Sequence, residues 1–377
     1  MGVRRRVGPG RGGGGTALHQ HVELLRDLCL APGPTGFEAP VQEVVRRRLA
    51  PLGTAAGDSL GNVWLEVGPA TGTLVAVAAH ADQIGLIVTH VDEKGFLSVE
   101  RIGGVAPLLV PGRRFVVHGH GGPVAAVGGR KPSHIIPMEE RRTAPELHEQ
   151  FLDIGAAGRA AALERVAVGD PVTFAPEFIE LAPGVVATQA LDDRGGLYAM
   201  IRALELYAER PGAARLTGLA TVHEETTFMG ARALARRLRP DVVVVLDGDF
   251  CSDTPAASAK ELAGEVRLGA GPVISRGAGS NERLGALARE MATAEGLPYQ
   301  VKAYPGETET DADELMASGA ATLTVGLPMR YMHSPFEVAR LADLEATARL
   351  VAAVARRIGE EGGWAGAPHG RPGEEIS

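Results

Sequence analysis

Ten residues, Thr221 to Gly230 (T-V-H-E-E-T-T-F-M-G), place two adjacent carboxylates, Glu224 and Glu225, just beyond the largely apolar run Leu216 to Val222. Such a run predicts a buried strand. Charge at the mouth of a buried strand needs partners, because an unpaired buried charge costs several kcal/mol. The chain offers partners of one kind. His80 follows the run Thr73 to Ala79, and Asp247 follows Val242 to Leu246. Asp192 precedes a predicted helix, Arg194 to Glu209, and His333 follows the segment ending Arg330-Tyr331-Met332. Taken singly, each is more simply a cap or half of a salt bridge. Taken as a set, they predict that these ends converge on a pair of metal ions, with Glu224 working beside them.

The texture around these ends defines the fold class. Helical spacing runs through 17–30, 39–49, 194–209, 230–238, 280–294 and 341–358, and strands are predicted at 73–79, 216–222, 242–246, 299–303 and 320–325. Helices alternating with doubly apolar strands predict an α/β domain, a mostly parallel sheet sandwiched by helices. From Ile84 to Phe174 short alternating strands recur between Gly and Pro turns instead, which reads as a small inserted β domain. The expected organisation is a discontinuous α/β domain over 16–83 and 185–360, an insert over 84–184, and flexible tails at 1–15 and 361–377. Gly57-Asp58-Ser59-Leu60-Gly61 fits G-x-S-x-G, but no strand precedes it and no helix follows, so it reads as a turn.

Composition narrows the function classes. A net charge of −8 argues against non-specific nucleic-acid binding. The absence of any apolar run of about 18 residues argues against a membrane-spanning helix. Two isolated cysteines, Cys29 and Cys251, suit a reducing compartment, and a cytoplasmic location is expected.

Two imidazoles and three carboxylates suit borderline divalent ions, zinc first, with cobalt or manganese as alternatives. Two such ions lie about 3.5–4 Å apart and share a bridging carboxylate and a bridging water. The charges balance: two doubly positive ions are matched by Asp192, Glu225, Asp247 and one hydroxide. Asp82 is placed to accept the remaining N–H of His80 and fix its tautomer. Successive residues leaving a strand point in different directions, so Glu225 as a ligand frees Glu224 to be a general base. The residues alone therefore predict metal-assisted hydrolysis, without the substrate.

Six stretches carry a resemblance beyond this: A-A-H-A-D-Q-I-G-L-I-V-T-H from Ala78, R-I-G-G from Arg101, L-D-I-G-A from Leu152, L-D-D-R from Leu191, H-E-E-T-T-F-M-G-A-R from His223 and R-Y-M-H-S-P from Arg330. In this order, over about Leu25 to Leu350, the chain resembles the di-metal aminopeptidases of metallopeptidase family forty-two. That family includes glutamyl and deblocking aminopeptidases that build tetrahedral TET-type shells, and members labelled endoglucanases. The resemblance implies a zinc-peptidase α/β domain interrupted by a β-barrel-like dimerisation domain. It implies His80 and Asp247 on one zinc, Glu225 and His333 on the other, Asp192 bridging, Glu224 as base and Asp82 as the orienting acid. It implies release of N-terminal residues from short peptides by a homo-oligomer of dimers, up to a dodecamer.

The chain departs from the family at Thr226 and Thr227, where an apolar residue and Gly are usual, and at the acidic stretch 306–314. Those acids predict a preference for a basic first residue. Two other functions compete. A glycoside hydrolase needs carboxylates facing each other across a sugar, about 5–9.5 Å apart. Adjacent Glu224 and Glu225 are ill placed for that, and only Trp64 and Trp364 are available to stack on sugars. A non-catalytic metal-stabilised assembly scaffold would not need Glu224.

Overall fold

The computed structural model describes residues 14–138 and 145–364. Helices α1 (Gly14–Leu30) and α2 (Ala39–Leu49) lead into strands β1 (Ala56–Gly57), β2 (Val63–Val67) and β3 (Leu74–His80). Then come β4 (Gly85–Val91), β5 (Leu97–Ile102), β6 (Arg114–Gly119), β7 (Gly122–Gly128), β8 (Leu152–Asp153), helix α3 (Arg159–Leu163) and β9 (Pro171–Phe174). After β10 (Phe178–Ala182) and β11 (Val185–Thr188) follow α4 (Leu191–Glu209), β12 (Arg215–Thr221), α5 (Glu224–Thr227), α6 (Met229–Leu238) and β13 (Val242–Phe250). The chain closes with β14 (Val273–Gly277), α7 (Glu282–Ala294), β15 (Gln300–Tyr304), α8 (Asp311–Met316), β16 (Ala321–Met329), β17 (Glu337–Arg340) and α9 (Leu341–Glu361).

Eight strands form the main sheet in the order β1-β2-β12-β3-β13-β16-β14-β15. Its centre, β12-β3-β13-β16, is parallel. The antiparallel neighbours β2 and β14 flank that centre. Central strands are apolar on both sides because both faces are covered. Val75, Val77, Val242 and Val244 point into the core under α1, α2, α4, α7 and α9. Ala76, Ala78, Val243 and Val245 point the other way, against α6 and α8. Continuing that alternation, His80 at the end of β3 and Asp247 inside β13, which runs three residues past it rather than ending at Leu246 as expected, project on the face of α6 and α8.

Strands β4 to β9 close into a six-stranded barrel in the order β4-β5-β8-β7-β6-β9. It has its own core, in which the Phe115 and Phe174 rings lie 5.0 Å apart. Strands β10, β11 and β17 make a separate three-stranded sheet.

Several elements differ from the sequence expectation. The acidic stretch is not all loop: Thr310 accepts the N–H of Ala312 and starts helix α8. Strands β10, β11, β14 and β17 are only four or five residues long, too short for a periodicity to mark them, and were not expected from the sequence. Most of each expected tail lies outside the described residues. Within them, α1 already begins at Gly14, and Trp364 is buried, with the Arg283 guanidinium 3.8 Å over its ring. The G-x-S-x-G stretch is a turn, in which one Asp58 oxygen accepts the N–H groups of Leu60, Gly61 and Asn62.

Candidate metal centre

Two groups of ligand-type side chains meet at the carboxyl ends of the parallel strands: His80, Asp192 and Asp247 in one, Asp192, Glu225 and His333 in the other. Asp192 belongs to both. Its Oδ1 lies 3.2 Å from His80 Nε2, and its Oδ2 lies 3.2 Å from His333 Nε2. Glu225 Oε2 is 3.5 Å from His333 Nε2, and Glu224 Oε2 is 3.8 Å from His80 Nε2. All five expected ligands and Glu224 thus share one pocket of space.

Local backbone explains the directions. His80 closes β3 opposite Thr221, the last residue of β12. The chain then turns through His223 at φ 63°, makes the single helical turn α5, and leaves through Phe228 at φ 55°. Glu224 and Glu225 therefore diverge because they are neighbours on a helical turn, about 100° apart, rather than on a strand. Asp192 and Asp193 carry non-helical angles at the start of α4, and the peptide between them is cis.

The Asp82 carboxylate is wholly buried, and it does more than face His80. Its oxygens accept the N–H groups of Glu224 and Glu225, both at 3.0 Å, and the Thr35 hydroxyl at 2.7 Å. His80 Nδ1 lies 3.2 Å from the Asp82 main-chain carbonyl and 3.5 Å from its carboxylate, so the carbonyl is the nearer acceptor. Three further residues escaped the sequence reading. Asp193 accepts the His80 N–H at 3.2 Å. Glu337 accepts the N–H groups of Asp192 and His333 at 3.0 and 2.8 Å. Gly104 lies so close to His333 that a Cβ there would sit 2.5 Å from Nδ1. Glu337 stands four residues after His333, so proximity to an expected ligand was its only available signal.

The turn carrying Glu224 and Glu225 has a tight packing constraint at Gly230, where a Cβ would meet the Val222 carbonyl oxygen at 2.2 Å and the Val222 nitrogen at 2.6 Å. Backbone cannot give way as a flexible side chain can. Gly230→Ala is expected to lose about 1–3 kcal/mol of stability, read as a lower urea midpoint. A midpoint within error of the parent would show that the turn has slack.

The electrostatics are those of crowded acids. Burial, partly offset by His80, pushes the Glu224 carboxyl up to about 11. Burial and then Asp192 push Glu225 up to about 7. Burial and then Asp192 also raise Asp247. Burial resists ionisation of Asp192, yet its bonds to His333 and His80 hold it well below the usual carboxylate range. The bond to Asp192 lifts His333 to about 9. For His80, burial opposes the charge, but Glu224, Asp192, Asp82 and Asp247 outweigh it and raise the imidazole. Two imidazoles cannot neutralise four buried carboxyls. Glu225 Oε1 is buried with no hydrogen-bond partner. An acceptor set of this charge and chemistry fits divalent cations.

Carboxylates and imidazoles gathered at the carboxyl ends of parallel strands are what metal-dependent hydrolases of α/β architecture present. The chain matches the family model described as M42 glutamyl aminopeptidase over residues 61–350. It is 33% identical over 347 residues to the lysyl aminopeptidase of Pyrococcus furiosus, covering 89% of this chain and 97% of that relative. A solved TET aminopeptidase from a marine sediment archaeon of the Thaumarchaeota matches with a TM-score of 0.86 at 29% identity, over 91% of this chain and 97% of that one. The TET1 peptidase of Pyrococcus horikoshii, described as assembling into a tetrahedron or a large octahedral shell, matches with a TM-score of 0.79 at 29% identity, over 89% and 99%. The chain belongs to the M42 glutamyl aminopeptidase family, and its activity class is that of an aminopeptidase.

Proposed function

We propose that this protein removes the N-terminal residue from short peptides, using two divalent ions and Glu224 as general acid–base. The observation that carries the reading is the pair of ligand groups sharing Asp192, with Glu224 beside them but in neither. His80 and Asp247 would hold one ion, Glu225 and His333 the other, and Asp192 both; zinc suits the set, with cobalt or manganese as alternatives. Bound there, the ions would supply Lewis acidity, polarising the scissile carbonyl and acidifying a water between them.

The rest falls to side chains of this chain. Glu224 takes a proton from the attacking water and delivers it to the departing amine. A carboxyl pushed up by burial holds that proton well, and nearby positive charge returns it to the working range. Asp82 keeps the base in place by gripping the amides of Glu224 and Glu225 together. The Asp82 main chain and its carboxylate both face His80 Nδ1, so the Asp82 segment also orients that ring. Metal reconstitution of the chelated protein, assayed on aminoacyl anilides and short peptides, tests the reading; hydrolysis that survives complete chelation would end it.

Three of the five acids of 306–314 have internal work. Asp311 accepts the Thr221 hydroxyl, Asp313 the amides of Thr308 and Glu309, and Glu314 pairs with Arg232. Only the exposed Glu307 and Glu309 remain for a substrate cation. A basic preference therefore predicts modestly faster cleavage of Lys-anilide than of Leu- or Glu-anilide, by about fivefold at most if one surface-exposed pair forms. Equal rates would remove it.

The region 84–184 is proposed to serve dimerisation, with dimers closing into a larger homo-oligomer. The barrel exposes Leu108, Val127 and Val168, each at least half accessible, as such a surface would. A cytoplasmic location is proposed from two cysteines, both free and buried. Among the described residues no helix is long and apolar enough to cross a membrane.

A further inference from the structure

We propose that Glu337 is a positioning residue that sets the separation of Asp192 and His333, and so decides whether the second ligand group can hold its cation. The proposal rests on the two-ion reading above. Both Glu337 oxygens are engaged: Oε2 accepts the Asp192 N–H at 3.0 Å, and Oε1 accepts the His333 N–H at 2.8 Å. The residue is 2% exposed, and its main chain is fixed by the pairing of β17 with β11, where Glu337 lies opposite Thr188.

The segments it joins do not hold themselves. Asp192 interrupts the first turn of α4, and His333 sits at φ 60° two residues after Tyr331 at φ 63°. Left-handed backbone at residues with a Cβ persists only where surroundings impose it. The His333 side chain is also 37% exposed, against 6% or less for Asp192, Glu225 and His80. Its seat consists of the Glu337 carboxylate at its amide and Gly104 of the barrel side of the chain behind its ring. The molecule uses the same device elsewhere, where the Asp82 carboxylate grips the amides of Glu224 and Glu225. The first ligand group is held differently. His80 lies in β3, and its amide goes to Asp193. Loss of Glu337 therefore bears hardest on the second group, where it holds both Asp192 and His333, and touches the first only through the shared Asp192.

Glu337→Gln keeps the shape but offers one acceptor oxygen to two donors, so one amide faces an NH2 group. The test is equilibrium dialysis of the full chain, stripped and then titrated with Co2+, with the cobalt absorption bands recorded at each step. The parent is expected to take two ions. The variant is expected to take the first with little change and the second about 10–100-fold more weakly, the usual effect of losing an outer support of a ligand. Two ions bound by the variant with the parent's affinities and spectrum would overturn the role of Glu337 alone. A parent that never takes a second ion would instead overturn the two-ion reading, and this proposal with it. Hydrogen exchange in the stripped parent gives a check that needs no variant to fold. The Asp192 and His333 amides are expected to be protected, and exchange at the rate of a free loop would remove the clamp.

Discussion

Glu224→Gln is expected to keep both ions and lose turnover, with kcat down by about 10²–10⁴, the usual contribution of a placed general acid–base group. The substitution leaves the main-chain N–H of residue 224 on Asp82, so the turn that also carries Glu225 stays in register. Gln has nearly the shape of the protonated acid that burial favours here. The stripped variant should therefore melt no lower than the stripped parent. The loss should fall on kcat rather than KM, because the group acts on protons in flight rather than in binding. Metal analysis, melting and steady-state kinetics on one preparation check all of this. Near-normal kcat with both ions bound would show that another group carries the proton.

The second large effect is the response of stability to pH with and without metal. In the stripped protein Glu225 is raised to about 7 by burial and Asp192, and Glu337 to about 8 by burial and Asp192. His333 is raised to about 9, chiefly by its bond to Asp192. Each folded-state value lies above the unfolded one, so the folded chain keeps protons that the unfolded chain releases. That stabilisation is complete below the unfolded values and is lost as pH climbs through about 7 to 9. Asp192 is shifted down, so its contribution is gained above the ordinary carboxylate range and is already in hand by about pH 5. The loaded protein runs the other way, because its ligands bind deprotonated and affinity grows with pH. A metal at about a hundred times its Kd adds ~2.7 kcal/mol per site. The melting temperatures with metal and with chelator should therefore draw apart between about pH 5 and 9. A gap that stays constant or narrows would show that these carboxyls do not hold the ions.

How much of this was legible beforehand varies by residue. His80 and Asp247 were readable because each ends a run whose sidedness is visible: β3 and β13 are apolar on both faces, which only a covered parallel sheet requires. Glu224 and Glu225 were readable as a misplaced pair of charges, although the reason for their divergence was not. The sequence suggested a strand end, and the chain makes one helical turn between two left-handed residues. The acidic stretch was legible only as composition, which does not say which acids are used internally; Asp311 and Asp313 close and anchor the turn into α8, and Glu314 meets Arg232.

The chain's own order of apolar runs, turns and charged ends was enough to determine the α/β class, a small inserted β domain and the identity of the groups that gather; that the insert forms a barrel was implied only by the family resemblance. Periodicity and burial are local properties, and they leave a local record. The tertiary structure alone decided what holds the gathered groups in place. Glu337, Asp193, Gly104 and the amide grip of Asp82 act, mostly on groups far away in the sequence, through hydrogen bonds and close approaches. A carboxylate that binds a distant amide looks, in one dimension, like any other carboxylate. Only the packing of β17 against β11 brings Glu337 beneath both Asp192 and His333.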